Sequence, residues 1–359
     1  MKTVLQKLNK FFSHWYRHIL ALPVFFLLFL CTKLIYLSFH NPVADTDYKD
    51  LFFPDYKLLG VSIPKDLNYC GEKVPINNFG VKKALEKQFY VNTFFQPQTL
   101  ILNKKSTRWF PLIEPILKKN GVPDDFKYVA ILESGLTNST ALANSGGFWG
   151  IMVPVARTYG LEVTDQVDER FNVEKATDAA CKIIKDAYRH YNSWTLATAA
   201  YDMGMGALDN QLQKQEGDNY YDLDLNDETA MYIYRLLAFK EIILRPEAYG
   251  YKISKQDYFA PIPTYTVKVD STITDLDAFA IANSSSLQIL KAMNPWLLKN
   301  SLNNPDHKSY LILFPKKGVK LYGLDIRDST SKSATILPDT SVRINNSQNK
   351  IDSLSIDKK

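Results

Sequence analysis

The sequence has little cysteine, little histidine and, beyond its first forty residues, no excess of either charge. Three cysteines in 359 residues, with no Cys-x-x-Cys pair, exclude a disulfide framework. Cys70 and Cys181 could pair in an oxidising compartment or remain isolated thiols. Three of the five histidines precede residue 41 and no His-Glu-x-x-His pattern occurs. A histidine-rich zinc site is therefore excluded, and we expect no cofactor.

The positive charge is concentrated at the N-terminus. Five of the 43 Lys and Arg residues lie in residues 1–40, which contain no acid, so the other 38 balance the 38 Asp and Glu. A neutral body lacks the basic surface of nucleic-acid-binding proteins, so we expect no nucleic-acid partner. Hydrophobic residues make up 46% of the chain, and the length allows two folded domains with an anchor or tail.

Residues 19–39 are apolar except for Thr32, Lys33 and Ser38. A helix of this length, rising about 1.5 Å per residue, spans a hydrocarbon core of roughly 30 Å. Because most of the bases precede it, we expect a transmembrane signal-anchor with residues 1–18 in the cytoplasm and the rest in the periplasm. A cleaved signal peptide, or a lipoprotein signal at Cys31, is the alternative. All three place the body in the cell envelope.

The body falls into a proline-rich part and a helical part. Prolines at five positions between 41 and 105 are expected to break up any long helix, which predicts a linker and an N-terminal lobe. From 106 to 250, apolar residues recur every three or four positions, as in amphipathic helices. Five helices are predicted, around Trp109–Ile116 with a kink at Pro115, and over residues 124–135, 177–191, 194–204 and 232–245.

After Pro263 the period changes. Alternating apolar residues predict strands at 265–269 and 309–314, and two short helices between them complete a small α+β unit over residues 262–322. Residues 325–359 are rich in Ser, Asp, Asn and Lys, which predicts a disordered polar tail. The fold class expected is mainly α with this small C-terminal unit.

One carboxylate stands out from the helical pattern. Glu133 lies on the same stripe as Phe126, Val129 and Ala130, in the last turn of a helix that begins near Asp124 and ends at Gly135. Apolar surroundings and the helix dipole both favour the protonated carboxyl, as a general acid requires. Two other interpretations stay open: a buried glutamate paired with a base, or a rotated stripe that exposes it to solvent.

Five short motifs follow in order along the helical part. They are Leu-Glu-Ser-Gly-Leu at 132–136, Ser-Gly-Gly-Phe-Trp-Gly-Ile-Met at 145–152, Val-Asp-Glu-Arg at 167–170, Ala-Ala-Tyr-Asp-Met-Gly-Met-Gly at 199–206 and Glu-Thr-Ala-Met-Tyr at 228–232. Each alone is weak, but together they resemble the soluble-lytic-transglycosylase-type (SLT) domain, closest to the membrane-bound lytic murein transglycosylase D group. The resemblance covers about 106–250 and implies a lysozyme-like helical fold.

The resemblance also implies roles for individual residues. Glu133 matches the catalytic acid, and Ser134 matches the serine that supports that carboxylate or the substrate. The residues implied to shape or line the sugar cleft are Gly147, Trp149, Met152, Tyr201, Glu228 and Tyr232. In this sequence Gly150 replaces a cleft-lining Gln and Asp202 replaces an Asn. Loss of the Gln removes a substrate hydrogen bond, typically about 0.5–1.5 kcal/mol.

The reaction implied is non-hydrolytic cleavage of peptidoglycan glycan strands between N-acetylmuramic acid and N-acetylglucosamine. One glutamate acts as acid and then base, the substrate's 2-acetamido group stabilises C1, and the product ends in a 1,6-anhydro sugar. A muramidase would need a second carboxylate about 5–5.5 Å away. Asp124 and Asp125 resemble helix-cap residues, and Asp202 remains open for that role. A catalytically weak glycan-binding scaffold is the alternative outside enzymes.

Structural interpretations of the same motifs remain open. Tyr201 and Tyr232 fit core aromatics, and Trp149 fits a core plug as well as a sugar platform. The residues 168–170 fit a structural ion pair leading into a helix, and Gly204-x-Gly206 fits a helix stop. The unit at 262–322 resembles a degenerate LysM glycan-binding module, since Asn294-Pro295 and residues 311–315 match but the opening glycine is missing before Asp270.

Overall fold

The computed structural model of the chain describes residues 32–33, 60–138 and 145–321. The chain divides into two compact units, Met1–Gly60 and Val61–Lys359, and the elements below belong to the second. The predicted tail at 325–359 lies outside the described residues, as does the predicted span at 19–39 apart from Thr32 and Lys33. Within the described ranges, no helix combines the length and apolar character needed to cross a bilayer.

Helices dominate the structure and strands are short. The helices are α1 (Phe79–Phe94), α2 (Gln96–Lys119), α3 (Lys127–Ser134), α4 (Val153–Thr158), α5 (Val173–Tyr191), α6 (Trp194–Met203), α7 (Met205–Lys214), α8 (Asp227–Leu244), α9 (Leu276–Ala282) and α10 (Leu287–Met293). The strands are β1 (Asn68–Tyr69), β2 (Glu72–Lys73), β3 (Ser145–Gly146), β4 (Ile151–Met152), β5 (Thr264–Val269) and β6 (Tyr310–Pro315). The mainly α fold predicted from the sequence is confirmed.

Local sequence signals set the ends of the helices that carry the site. The left-handed Gly135, at φ 60°, ends α3, as its sequence predicts. Asn172 and Asn226 cap α5 and α8, because each side-chain oxygen accepts a backbone N–H of the first turn. The helix α6 ends before Gly204, which confirms the predicted stop. These boundaries confirm the predicted helices over 177–191, 194–204 and 232–245.

The N-terminal lobe departs from the sequence prediction. In the described part of this lobe, two long helices form despite Pro64, Pro75 and Pro97: α1 has 16 residues and α2 has 24, and α2 runs through position 105 into the predicted catalytic domain. Pro97 lies in the first turn of α2, where a missing N–H costs nothing. Pro111 and Pro115 lie inside α2. Burial of its apolar face, including Ile113 and Leu117, outweighs their local cost.

Asp124 and Asp125 do not cap α3, contrary to the sequence prediction. They lie in a short 3-10 turn before the helix. Asp124 pairs with Lys127 at 2.5 Å, and Asp125 pairs with Lys240 of α8 at 2.7 Å. Asp125 also accepts the N–H of Cys70 at 2.7 Å. Because Lys240 and Asp125 are largely buried, this pair ties the turn before α3 to α8.

Two hydrophobic cores organise the second unit. The larger core lies among α1–α8 and includes Trp149 and Phe126. The smaller core lies in the C-terminal unit, where β5 and β6 pair antiparallel from Thr264↔Pro315 to Val269↔Tyr310 around α9 and α10. This arrangement confirms the predicted βααβ order. Val167 and Phe171 of the helical part belong to the smaller core, so the two parts share packing.

The two described cysteines, Cys70 and Cys181, are free thiols. Burial raises the pKa of the Cys181 thiol to about 12, with the negative charge of Asp178 adding to the effect. Burial also raises the pKa of Cys70, and Asp125 contributes. Both thiols therefore stay protonated at neutral pH, which suits structural rather than reactive cysteines.

Candidate active site

Glu133 lies where α3 leaves the core. Phe126, Val129 and Ala130, one or two turns before it, are fully buried, whereas Glu133 is half-buried. The sequence stripe therefore points inward as predicted, but its last member reaches the edge of the core. A carboxyl group in this position meets both apolar neighbours and the outside of the domain.

Tyr232 of α8 holds one oxygen of this carboxyl group. Its hydroxyl donates to Oε1 of Glu133 at 2.6 Å. Burial raises the pKa of Tyr232 well above its ordinary value, and the charges of Glu133 and Asp202 raise it further. The phenol therefore remains a protonated donor throughout the physiological pH range.

A hairpin of two short strands places a glycine-rich turn against the other side of Glu133. Strands β3 and β4 pair through Gly146↔Ile151, and residues 147–150 form the turn between them. Gly150 has φ +58°, and a Cβ built on it would lie 2.4 Å from Oε2 of Glu133. At Gly147, with φ +73°, a Cβ would lie 1.8 Å from the carbonyl oxygen of Arg170. A Cβ at Gly147 would thus collide with backbone, whereas a Cβ at Gly150 would collide with the end of the Glu133 side chain, and the left-handed φ favours glycine at both positions.

Arg170 supports this hairpin from below. Its Nη2 lies 2.7 Å from Asp168 Oδ2, and its Nη1 donates to the carbonyl of Ile151 in β4 at 3.1 Å. Both ionised side chains are buried. The predicted structural ion pair in residues 168–170 is confirmed, and the contact with β4 adds a role that the sequence pattern does not indicate.

Trp149 lies in the core and not on a sugar-binding surface. Its side chain is 0% exposed, and its indole Nε1 donates to Thr177 of α5 at 2.9 Å. The interpretation as an exposed sugar platform is therefore wrong, and the alternative of a core plug is correct. A Trp in a glycine-rich turn is compatible with a sugar platform and with a core plug. The burial of the turn in the folded protein distinguishes the two.

Tyr201 of α6 fastens the same turn through the backbone. Its hydroxyl donates to the carbonyl of Trp149 at 2.6 Å. Burial raises the pKa of Tyr201 well above its ordinary value, and the charge of Glu133 contributes. The charge of Glu133 thus acts on the Tyr201 phenol, and that phenol bonds to the turn that packs on Glu133. Its neighbour Asp202 acts electrostatically on Tyr232.

The remaining predicted residues, Ser134, Met152 and Glu228, make no hydrogen bond to the Glu133 carboxyl group in the described part of the chain. Ser134 donates to the carbonyl of Ala130 at 2.9 Å and accepts from the N–H of Thr137, so it closes the end of α3. Met152, in β4, is 8% exposed. Glu228 is half-buried in the first turn of α8, one turn before Tyr232. The structure therefore joins Tyr232 and Gly150 directly to Glu133.

The arrangement fixes one carboxyl group at the edge of the core, where a carboxyl group can exchange a proton. One carboxyl oxygen is fixed by a phenol and the other lies against bare backbone. Within the described ranges, no group of three or more His, Cys, Asp or Glu is arranged to hold a metal ion. Sequence reasoning missed two contacts, that of Arg170 with the carbonyl of Ile151 and that of Thr177 with the indole of Trp149. The place of Thr177 on the buried face of α5 is a signal for the second.

Two families match the chain. Residues 111–223 match the transglycosylase SLT domain, and residues 265–318 match the soluble lytic transglycosylase C-terminal LysM-like domain. The membrane-bound lytic murein transglycosylase D of Escherichia coli K12 is 29% identical over 147 residues, which is 39% of this chain and 32% of that protein. The protein of the same name from E. coli O6:H1 gives the same values. The chain thus matches about a third of the length of these curated relatives. The chain thus carries an SLT-type transglycosylase domain followed by a LysM-like unit, and both matches together with the similarity to lytic murein transglycosylase D support an SLT-type lytic transglycosylase.

Proposed function

We propose that the protein is a peptidoglycan lytic transglycosylase with Glu133 as its single general acid and base. The observation that carries this proposal is the seating of the Glu133 carboxyl group between the Tyr232 hydroxyl, at 2.6 Å, and the bare backbone of Gly150. A half-buried carboxyl group fixed in this way can give up and recover one proton beside a bound polymer. The match of residues 111–223 to the transglycosylase SLT domain supports peptidoglycan as that polymer.

In the proposed reaction Glu133 donates one proton in the first step and recovers one in the second. Protonated Glu133 donates its proton to the oxygen between N-acetylmuramic acid and N-acetylglucosamine, and the bond from C1 to that oxygen breaks. The carbonyl oxygen of the substrate's 2-acetamido group bonds to C1 and gives an oxazolinium. Ionised Glu133 then takes the proton of the C6 hydroxyl, and O6 displaces the acetamido oxygen at C1. The 1,6-anhydro product forms without consumption of water, and Glu133 ends protonated.

The neighbouring residues would serve this cycle in different ways. Tyr232 orients the carboxyl group in both protonation states, because its hydroxyl can donate to an oxygen of the ionised carboxylate and to the carbonyl oxygen of the protonated acid. Tyr201, Trp149 and Gly147 hold the turn that limits the movement of Glu133. We propose that Ser134, Met152 and Glu228 shape the adjoining cleft. Ser134 lies in α3, Met152 in β4 and Glu228 in α8, and these positions support a role in the cleft. They do not support a role in proton transfer.

A muramidase that hydrolyses the same bond is the second candidate. The observation that favours it is Asp202, whose charge acts on the phenol of Tyr232 together with that of Glu133. A second carboxylate near the acid is what a retaining glycosidase requires. The two reactions release different ends: an anhydro sugar in the first and a reducing sugar in the second.

Mass spectrometry of digested sacculi tests the proposal. We expect 1,6-anhydro ends from the wild type, no product from Glu133→Gln, and wild-type product from Glu86→Gln, which changes an exposed glutamate of α1. Reducing ends from the wild type would show that the protein hydrolyses the bond and would contradict the proposed reaction. No product from the wild type would indicate a glycan-binding scaffold. Full activity of Glu133→Gln would show that Glu133 is not the catalytic acid.

We further propose that the protein works in the cell envelope, held by residues 19–39 in the cytoplasmic membrane with its catalytic part in the periplasm. The apolar length of that segment and the bases before it support this orientation. The C-terminal LysM-like unit would add binding to the glycan strand. Extraction of membranes at alkaline pH tests the anchor: the full chain should stay in the membrane pellet, and release into the supernatant would contradict it.

A further inference from the structure

We propose that Gly150 is a positioning residue for Glu133, and that the absence of a side chain at this position is required for catalysis. This inference rests on the proposed role of Glu133 as the acid. From the sequence, Gly150 is a lost cleft residue, because the family usually has Gln there and the loss removes a substrate hydrogen bond. The structure supports a different interpretation, in which the bare backbone at 150 seats the carboxyl group.

The first argument is steric. A Cβ at position 150 would lie 2.4 Å from Oε2 of Glu133 and 3.3 Å from its Cβ and Cδ. The first distance is shorter than any ordinary van der Waals contact between carbon and oxygen. Oε1, on the other side of the carboxyl group, accepts the hydrogen bond from Tyr232 at 2.6 Å. A side chain at 150 would therefore push Glu133 against the partner that fixes it.

The second argument is that the turn cannot move away. The carbonyl of Trp149, the preceding residue, accepts the hydroxyl of Tyr201 at 2.6 Å, and the indole of Trp149 is buried and bonded to Thr177. At the other end of the turn, Gly147 packs against the backbone of Arg170. Because the turn is fixed on both sides, the carboxyl group is the part that would be displaced.

The third argument comes from the backbone of Gly150 itself. Its φ of +58° is left-handed, where a residue with a Cβ is disfavoured by about 1–2 kcal/mol. Backbone conformation and space thus both select glycine. The family's Gln cannot be introduced in this conformation without moving Glu133. Displacement of a reacting group by about 1 Å can cost on the order of 100-fold in rate.

Gly160 provides a matched control. It also has a left-handed φ, of +88°, but a Cβ there would have no heavy atom within 4 Å. Replacement by alanine therefore costs backbone strain at both positions and collides with Glu133 at only one. The experiment measures kcat and KM of Gly150→Ala, Gly150→Gln and Gly160→Ala on soluble peptidoglycan strands, alongside the wild type and Glu133→Gln.

We expect kcat of Gly150→Ala and Gly150→Gln to fall on the order of 100-fold with little change in KM, and Gly160→Ala to stay within about twofold of the wild type. A lower KM or a higher kcat/KM in Gly150→Gln would restore the interpretation as a lost Gln and overturn the proposal. Equal kinetics of Gly150→Ala and Gly160→Ala would also overturn it. Reducing ends from the wild type would contradict the transglycosylase reaction alone, since hydrolysis uses the same acid.

A double-mutant cycle with Glu133→Asp separates positioning from a general structural effect. The shorter aspartate withdraws the carboxyl group from position 150, so we expect Glu133→Asp to lower kcat less in the Gly150→Ala background than in the wild type. Additive losses would overturn the proposal. If Gly150→Ala does not fold, the double variant should fold like Gly160→Ala, because the collision is relieved. Failure of the double variant to fold would also overturn it.

Discussion

The hydroxyl of Tyr232 and Oε1 of Glu133 are 2.6 Å apart, although the two residues are 99 positions apart in the chain. This bond links the last turn of α3 to the second turn of α8. Tyr232 is 5% exposed, so water competes little for its hydroxyl. A hydrogen bond to a charged group typically contributes about 1.5–3 kcal/mol. The geometry of the acid therefore depends on how these two helices pack.

Replacement of Tyr232 by Phe should lower kcat by about 10- to 100-fold and leave KM nearly unchanged. The reason is that the ring still fills its place in the core while Glu133 loses the donor that orients it. Steady-state kinetics on soluble glycan strands measures both constants. Tyr234→Phe is the control, because Tyr234 lies on the same helix and is 7% exposed. Equal losses in the two variants would show that removal of a buried hydroxyl, and not the bond to Glu133, lowers the rate.

Buried tyrosines should make the protein less stable above about pH 10. The ordinary pKa of tyrosine is 10.0, and burial raises the pKa of Tyr69, Tyr201, Tyr220 and Tyr232 well above it. Above pH 10 the unfolded chain loses phenol protons that the native chain keeps. The free energy of unfolding is therefore unaffected by these groups below pH 10 and falls as pH rises toward their native pKa values.

Urea unfolding between pH 9 and pH 11 measures this slope, to which each raised tyrosine contributes up to about 1.4 kcal/mol per pH unit. Tyr201→Phe should flatten the slope, whatever its effect on stability at pH 8. Tyr90→Phe, at an exposed position of α1, is the matched control. An unchanged slope in Tyr201→Phe would mean that this phenol titrates alike in the folded and unfolded chains.

The sequence predicts the helical part of the fold well because its signals are local. Apolar periodicity and the stops at Gly135 and Gly204 act within a few residues of the positions that they determine. The N-terminal lobe is different. Its described prolines lie before α1 or in the first turn of α2, so they interrupt neither helix. The number of prolines therefore misleads here, because their positions relative to the helix ends decide whether a helix forms.

The candidate site is likewise predicted only in part from the sequence. The stripe from Phe126 to Glu133 singles out this carboxyl group by local spacing, and its catalytic role is implied by the resemblance of the motifs to the SLT domain. The contact between Gly150 and Oε2 depends on how the hairpin rests on Arg170 and Tyr201, and neither is adjacent to it in sequence. The burial of Trp149 has the same origin. A sequence can therefore single out a candidate acid, while the close packing around it becomes visible only in three dimensions.

The buried pair of Arg170 and Asp168 should be essential for stability. Arg170→Gln leaves the Asp168 carboxylate, 4% exposed, without its ionic partner. Loss of one partner from a buried pair typically costs about 3–5 kcal/mol, because the desolvated charge remains. Urea unfolding at pH 7 should show a loss of this size. Activity should fall as well, because Arg170 also donates to the carbonyl of Ile151 in the hairpin that rests on Glu133.

Arg189→Gln is the control for this variant. It removes the ion pair of Arg189 with Asp186 on α5, where the arginine side chain is 73% exposed. An exposed pair contributes no more than about 1 kcal/mol, since water and salt replace it. In both variants Gln replaces an arginine that pairs with an aspartate, and the two arginines differ in how deeply they are buried. Similar losses in both variants would mean that desolvation is not what makes Arg170 important. A large loss confined to Arg170→Gln, with a lower kcat under conditions where the variant remains folded, would identify the pair as the support of the hairpin.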